Sequence, residues 1–221
     1  MIDFKFSSIL LLHTFLVFFF WKYNLKIAVY LDLFDDVNQQ RKLKKTKTPL
    51  TGGLIILSFI YLNFFLNQID LIISQDENFQ INTVFLIALS FIFILGYYDD
   101  KYDLTPNLKL IILIILFSIT VYLDNSILIS ELDFKVLNLS LNIQSYSFFF
   151  VVFCLIVFNN ATNMFDGINL QCSSYFLFII LYLQIIFANN QELYPFLFTL
   201  TVGISFFIFL NLNNKSYLGD S

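Results

Sequence analysis

Charge is scarce in this sequence. Asp, Glu, Lys and Arg make up 13% of its 221 residues, against about 25% in an ordinary soluble domain. Apolar residues reach 58%, including 30 Phe, and a soluble fold of this length could not hide so much apolar surface. Cysteine is scarcer still: Cys154 and Cys172 stand in or beside apolar runs without metal-ligand spacing, which excludes a disulfide framework or a cysteine zinc site. There is no internal repeat, no glycine-rich nucleotide fingerprint and no low-complexity segment. The first apolar run is followed by a basic loop and not by a small-residue cleavage site, so it is expected to be a retained helix.

What is present comes in blocks of membrane-spanning length, about 20 residues each. Spans are expected near Phe6–Trp21, Gly52–Ile69, Ile81–Tyr98, Leu108–Leu123, Tyr146–Phe158, Ser173–Ala188 and Pro195–Leu210, the fifth continuing toward Asn163. The strict alternation of a membrane β-barrel strand is missing from these runs. The expected fold is therefore a single all-α, polytopic transmembrane bundle of about seven spans covering residues 1–221.

Basic residues fall on one side of these spans. The first connection holds Lys22, Lys26, Arg41, Lys42, Lys44, Lys45 and Lys47, the third Lys101 and Lys109, and Lys215 follows the seventh span. The opposite side has Lys5 and Lys135. Basic loops stay cytoplasmic, which predicts an inner (plasma) membrane protein with its N-terminus outside. The polar motifs obey the same parity, so four clusters, near residues 22–51, 99–107, 159–172 and 211–221, are expected on the cytoplasmic face. The external connections, such as Asp124–Ser145, read as ordinary polar connectors.

Asp99-Asp100-Lys101-Tyr102-Asp103 sets three carboxylates in five residues at a membrane boundary. They repel one another, and a hard divalent cation such as Mg²⁺ or Mn²⁺ relieves that repulsion. On a helix Asp99 and Asp103 share a face, one turn apart. Such proximity also raises the pKa of one acid and prepares it as a base. A solvated helix end is the plainer alternative. Asn160, Asn163 and Asp166 recur at a spacing of three, with Gly167 as a helix stop; they either line a cavity or cap an interface. The run Arg41–Lys47, followed by Pro49, Gly52 and Gly53, either attracts phosphate or fixes topology, and the glycine pair also permits close helix packing. His13, in mid-span, is expected to face the bundle and not to be a ligand.

In order, these motifs resemble those of the polyprenyl-phosphate N-acetylhexosamine-1-phosphate transferases, glycosyltransferase family 4. Asp36 through Lys42 and Pro49-Leu50-Thr51-Gly52-Gly53 look like the family's D-x-P-N-x-R-K-x-H…P-x-x-G-G loop. Gly96 through Leu104 is similar to G-x-x-D-D-x-x-D-L, Asn160 through Gly167 to N-A-x-N-x-x-D-G, and Gly219-Asp220-Ser221 to the start of G-D-S/T-G-S. Asn38 replaces a proline, Lys44 a histidine, and Asn169-Leu170 a second Asp-Gly. The family continues beyond the Gly-Asp-Ser motif with further helices and a histidine-bearing loop, so the chain is expected to be truncated.

The resemblance implies transfer of an N-acetylhexosamine-1-phosphate from a UDP-sugar to polyprenyl (undecaprenyl) phosphate, releasing UMP. That step initiates cell-envelope polysaccharide (O-antigen or lipopolysaccharide) or cell-wall peptidoglycan lipid intermediates. It implies Mg²⁺ (or Mn²⁺) held by Asp220 and Asp166, and catalytic roles for Asp99, Asp100 and Asp166. Substrate contacts are implied for Arg41, Lys42, Lys44, Gly52, Gly53, Asp103, Asn160, Asn163 and Gly167. The partners implied are the bilayer, polyprenyl phosphate, the UDP-N-acetylhexosamine and a second copy in a homodimer, with no nucleic acid. Which aspartate is base and which is ligand stays open. Other classes were weighed against it. Asp99–Asp103 also fits the D-D-x-x-D of an intramembrane Mg-dependent prenyltransferase, which wants a second aspartate-rich motif. A CDP-alcohol phosphotransferase wants Ala-Arg where Ile168-Asn169 stand. A transporter or scaffold subunit wants charges in mid-membrane or repeats.

Overall fold

The structure, a computed structural model, describes residues 2–34, 48–68, 83–134, 136, 139–165, 170–190 and 193–219. Among them are seven α-helices: α1 (Ile2–Leu31), α2 (Gly52–Gln68), α3 (Thr83–Tyr102), α4 (Pro106–Leu123), α5 (Ser147–Phe165), α6 (Gln171–Ile186) and α7 (Leu193–Leu212). α1, from Ile9 on, and α3, α4, α5 and α7 are long and apolar enough to cross a membrane; α2 and α6 are shorter apolar helices. The all-α polytopic bundle expected from composition is the fold observed.

Two expectations need correction. The first span does not stop at Trp21 but runs to Leu31, so Lys22 and Lys26 belong to the helix and not to the following loop. Both ammonium groups lie over the Tyr23 ring, at 5.4 and 5.6 Å. Long lysine stems let a helix continue through a charged stretch while the charge stays outside the apolar layer. The connector Asp124–Ser145 is also more than a polar loop. Glu131–Phe134 (β1) and Leu139–Asn142 (β2) pair antiparallel, with Glu131 opposite Asn142 and Phe134 opposite Leu139.

Four apolar clusters hold the helices together, the smallest being Ile60 and Leu86 between α2 and α3. Phe20, Ile55, Phe59, Phe206 and Leu210 join α1, α2 and α7. Leu95, Leu113, Phe117, Val121, Val151 and Val152 join α3, α4 and α5. Ile180, Leu197 and Ile204 close α6 onto α7. Close approach of α2 to α7 depends on Gly203, where a Cβ would stand 3.1 Å from the Phe59 ring. His13 is buried and faces the bundle as expected. Its Nδ1–H donates to the Ile9 carbonyl (2.8 Å), and its Nε2 lies 3.1 Å from Thr199 Oγ1. Asn63 on α2 donates to the same hydroxyl (3.1 Å), so one polar contact chain links α1, α7 and α2 within the apolar layer.

Candidate active site

The helix ends that carry the sequence motifs converge at one end of the bundle. α3 stops at Tyr102 because Asp103 adopts a left-handed conformation (φ 49°). This is the usual stereochemical signal for a helix C-terminus, here without glycine. The Asp103 amide donates to the Asp99 carbonyl (3.0 Å), and the Leu104 amide donates to Asp99 Oδ1 (3.0 Å). The other carboxylate oxygen, Oδ2, takes a 2.5 Å ion pair from Lys109 Nζ. Asp99 is thus buried with both oxygens engaged. Asp103, beyond the helix, is exposed, so the pair does not share a helical face as the spacing predicted.

Lys109 sits in the first turn of α4, three residues after Pro106, which opens the helix at its first position. A cation there opposes the helix dipole, and it is the single charged residue between Leu104 and Leu123. Its carboxylate partner on α3 compensates both costs. The sequence reading counted Lys109 only as a topology signal; its place at the wrong end of an apolar helix was the available clue.

Asp100, next to Asp99, meets the segment that follows α7. Gly219 has φ 69°, and a Cβ there would stand 2.6 Å from Asp100 Oδ2. Only glycine tolerates both that backbone angle and that contact. Asp100 of the second motif and Gly219 of the last are therefore neighbours in space, 119 residues apart in number.

Lys109 and Gly219 border a cleft of about 190 Å³. Its polar lining is Lys109 from α4, Asn159, Thr162 and Asn163 from α5, and Gly96 and Gly219 supply bare backbone. Cys172 and Phe176 of α6 close its floor with Leu95 and Leu113. Asn163 lines the cleft as the motif suggested. Asn160 is half-buried on α5 and is not among the lining residues, whereas Asn159, missed by the sequence reading, is.

A buried clasp holds the segment after α7 in position. Asn24 of α1 donates to the Lys215 carbonyl (2.7 Å), and Thr51 Oγ1 donates to Asn24 Oδ1 (2.6 Å). Ser216 Oγ lies 2.8 Å from Thr51 Oγ1. Since the Thr51 proton goes to Asn24, Ser216 is the donor in that contact. Alongside, the Gly52 amide donates to Tyr217 O (2.9 Å) and the Tyr217 amide to Pro49 O (2.7 Å). A Cβ on Gly52 would meet the Phe207 ring at 2.5 Å and Leu218 Cα at 2.8 Å. Gly52 therefore serves the close approach of this segment, while Gly53 is half-buried in the first turn of α2. Tyr97 Oη donates to Leu31 O (3.0 Å) and Lys101 pairs with Asp32 (3.5 Å), which ties α3 to the end of α1. Asn24, Thr51 and Ser216 carry no motif spacing, so the sequence offered no signal for them.

Arg41, Lys42, Lys44, Asp166, Gly167 and Asp220 lie outside the described residues. Among the described residues, no group of three or more His, Cys, Asp or Glu side chains stands ready to hold a metal ion. The carboxamides of Asn159 and Asn163 in the cleft lining, and the Asp100 carboxylate behind Gly219, are hard oxygen donors of the kind Mg²⁺ prefers.

A family model for glycosyl transferase family 4 matches residues 82–221, well over half of the chain. The protein belongs to glycosyl transferase family 4 and is a membrane glycosyltransferase that handles a sugar phosphate. The matched span takes in α3 with its aspartates, α5 with its asparagines, and the segment after α7; the Pro49–Gly53 motif precedes it. No curated protein matches the chain. Family membership sets aside the prenyltransferase, CDP-alcohol phosphotransferase and transporter readings.

Proposed function

We propose that this protein transfers an N-acetylhexosamine-1-phosphate from a UDP-sugar to polyprenyl phosphate, releasing UMP, at the cytoplasmic face of the plasma membrane. The observation that carries this reading is the cleft lined by Lys109, Asn163 and Gly219, with Asp99 paired to Lys109 and Asp100 against Gly219, at the membrane boundary where a lipid phosphate and a soluble donor can meet. An oxygen of the lipid phosphate attacks the donor phosphorus that bears the sugar. The bond from that phosphorus to the bridging oxygen breaks, and UMP leaves with the bridging oxygen. Both reactants are anions, so the chemistry is chiefly positioning and charge compensation.

Lys109, fixed by Asp99, supplies a held positive charge to the phosphates in the cleft. With both oxygens engaged, Asp99 acts as the positioning group for Lys109 and not as a base. Asp100, with Asp166 and Asp220 from the adjoining motifs, would hold Mg²⁺. When bound, that ion screens the repulsion between the two phosphates and stabilises charge on departing UMP. Asn163 and Asn159 line the wall toward the nucleotide sugar, and Arg41, Lys42 and Lys44 draw in the anionic donor. At about 190 Å³ the cleft is below the roughly 300–1,000 Å³ of ligand pockets. It suits the reacting phosphates and not a whole nucleotide sugar.

The test is exchange of labelled UMP into UDP-N-acetylhexosamine by the protein in detergent with Mg²⁺ and polyprenyl phosphate. Wild-type exchange, abolished in Asp100→Asn and reduced by about a hundredfold in Gly219→Ala, is expected, since displacement by an ångström costs that much. Absence of exchange with every UDP-amino sugar, from a folded sample, rejects the reading.

A further inference from the structure

A second concavity lies in the seam between α1 and α7. It has a volume of about 460 Å³ and shares no lining residue with the cleft. Leu10, Val17, Phe18 and Trp21 of α1 form one wall, and Phe206 and Phe209 of α7 form the other. Its two polar lining residues turn their polar atoms inward. The Thr14 hydroxyl donates to Leu11 O (2.8 Å), and both His13 ring nitrogens are bonded as described. The surface offered is hydrocarbon from end to end, about 16 Å long by the helical rise from Leu10 to Trp21. That is about half the thickness of a bilayer's hydrocarbon core, the reach of one acyl chain in one leaflet.

The seam is not neutral at its upper end. Lys215 Nζ sits 3.7 Å from the centre of the Trp21 ring, and Lys22 Nζ lies 6.0 Å from that of Phe18. Both rings are groove walls, so two ammonium groups cap the same mouth. Among the described residues neither lysine pairs with a carboxylate. Trp21, stacked on Phe209 (5.4 Å), is the amphipathic ring expected at a headgroup level.

We propose that the seam between α1 and α7 binds one anionic phospholipid of the surrounding bilayer. One acyl chain fills the groove, and Lys22 and Lys215 hold the phosphate. The charge pattern selects this occupant: a second helix would fill the groove but leave two capping cations unanswered, and a zwitterionic lipid would answer them only in part.

Native mass spectrometry tests it on protein released from membranes holding equal phosphatidylglycerol and phosphatidylcholine of identical acyl chains. One retained phosphatidylglycerol per chain is expected, with phosphatidylcholine stripped. The double variant Lys22→Gln/Lys215→Gln should retain roughly thirtyfold less phosphatidylglycerol, given the usual strength of lysine at an anionic surface. Lys101→Gln, whose lysine lies at the end of α3, should retain it fully. Val17→Trp should expel the lipid with both lysines in place. Equal retention of the two lipids, or unchanged retention in the double variant, overturns the proposal. So does displacement of phosphatidylglycerol by polyprenyl phosphate, which would make the seam an acceptor-lipid site. A lipid-free mass of two chains, returned to one by Val17→Trp, would place a second copy in the seam and equally overturn it.

Discussion

Lys109 and Asp99 illustrate how a buried ion pair constrains single-residue change. Their side chains are 14% and 10% exposed, so removing one leaves the other charge stranded in a poorly solvated site. Lys109→Met is expected to destabilise the protein by about 3–5 kcal/mol, whereas Lys109→Met/Asp99→Leu should recover most of that loss. Neither variant should transfer sugar phosphate. Thermal unfolding in detergent beside the exchange assay separates the two effects; recovery of activity in the double variant would remove Lys109 from the mechanism. Thr51 is the second informative residue. Thr51→Val keeps the shape but strands the hydroxyl of Ser216 and the amide oxygen of Asn24, at a cost of about 1–3 kcal/mol. Thr51→Ser should restore both stability and exchange. Equal loss in the two variants would mean that the methyl group matters and the hydrogen bonds do not. The aspartates and glycines of this site were legible in the sequence because they cluster. Lys109, Asn24, Thr51 and Ser216 were not, because single polar residues far apart in the sequence have no local pattern to betray their partners.

Elements were read well where length decides and poorly where charge interrupts. Apolar stretches near bilayer length located all seven helices, because backbone groups in hydrocarbon have helix as their one local way to pair. Boundaries are hardest to read where charge interrupts the apolar run, at Lys22 and Lys26 and at Asp99 and Asp100; each pair lies on a continuing helix. The hairpin β1–β2 escaped notice although Glu131-Leu132-Asp133-Phe134 alternates, since four residues are too few for the period to stand out. Packing between elements is written in small residues. Gly203 faces Phe59 at a distance that leaves no room for a branched side chain. Gly203→Val should overpack the α2–α7 contact and destabilise by about 1–3 kcal/mol, read as a lower unfolding temperature in detergent. An unchanged temperature would mean that α2 and α7 can part without loss.

At the scale of the whole molecule, the described contacts draw the end of α1, the start of α2, the end of α3, the start of α4 and the segment after α7 to one pole. Lys22, Lys26, Lys101, Lys109 and Lys215 lie on these same segments, which predicts that this pole faces the cytoplasm. In intact cells, a cysteine placed at Ser126, beside the hairpin, should react with an impermeant maleimide, and one placed at Asp103 should react only after the membrane is opened. The reverse pattern would invert the topology and, with it, the side on which the donor must be supplied. Helix number and polarity of this kind follow from composition alone. The convergence of five segments on one pole does not, because tertiary contact between distant stretches leaves no trace in local pattern.

The clasp of Asn24, Thr51, Lys215 and Ser216 also bears on how the protein is made. Thr51 and Ser216 are 165 residues apart, and Asn24 and Lys215 are 191 apart. Membrane insertion proceeds from the N-terminus as the ribosome elongates the chain. For most of that time Asn24 and Thr51 have each other and still await their second partners. Those partners arrive only after α7 has been threaded. A nascent chain caught before that moment would hold most of its helices but only the Thr51–Asn24 bond of its clasp, and would be the form that quality-control proteases meet.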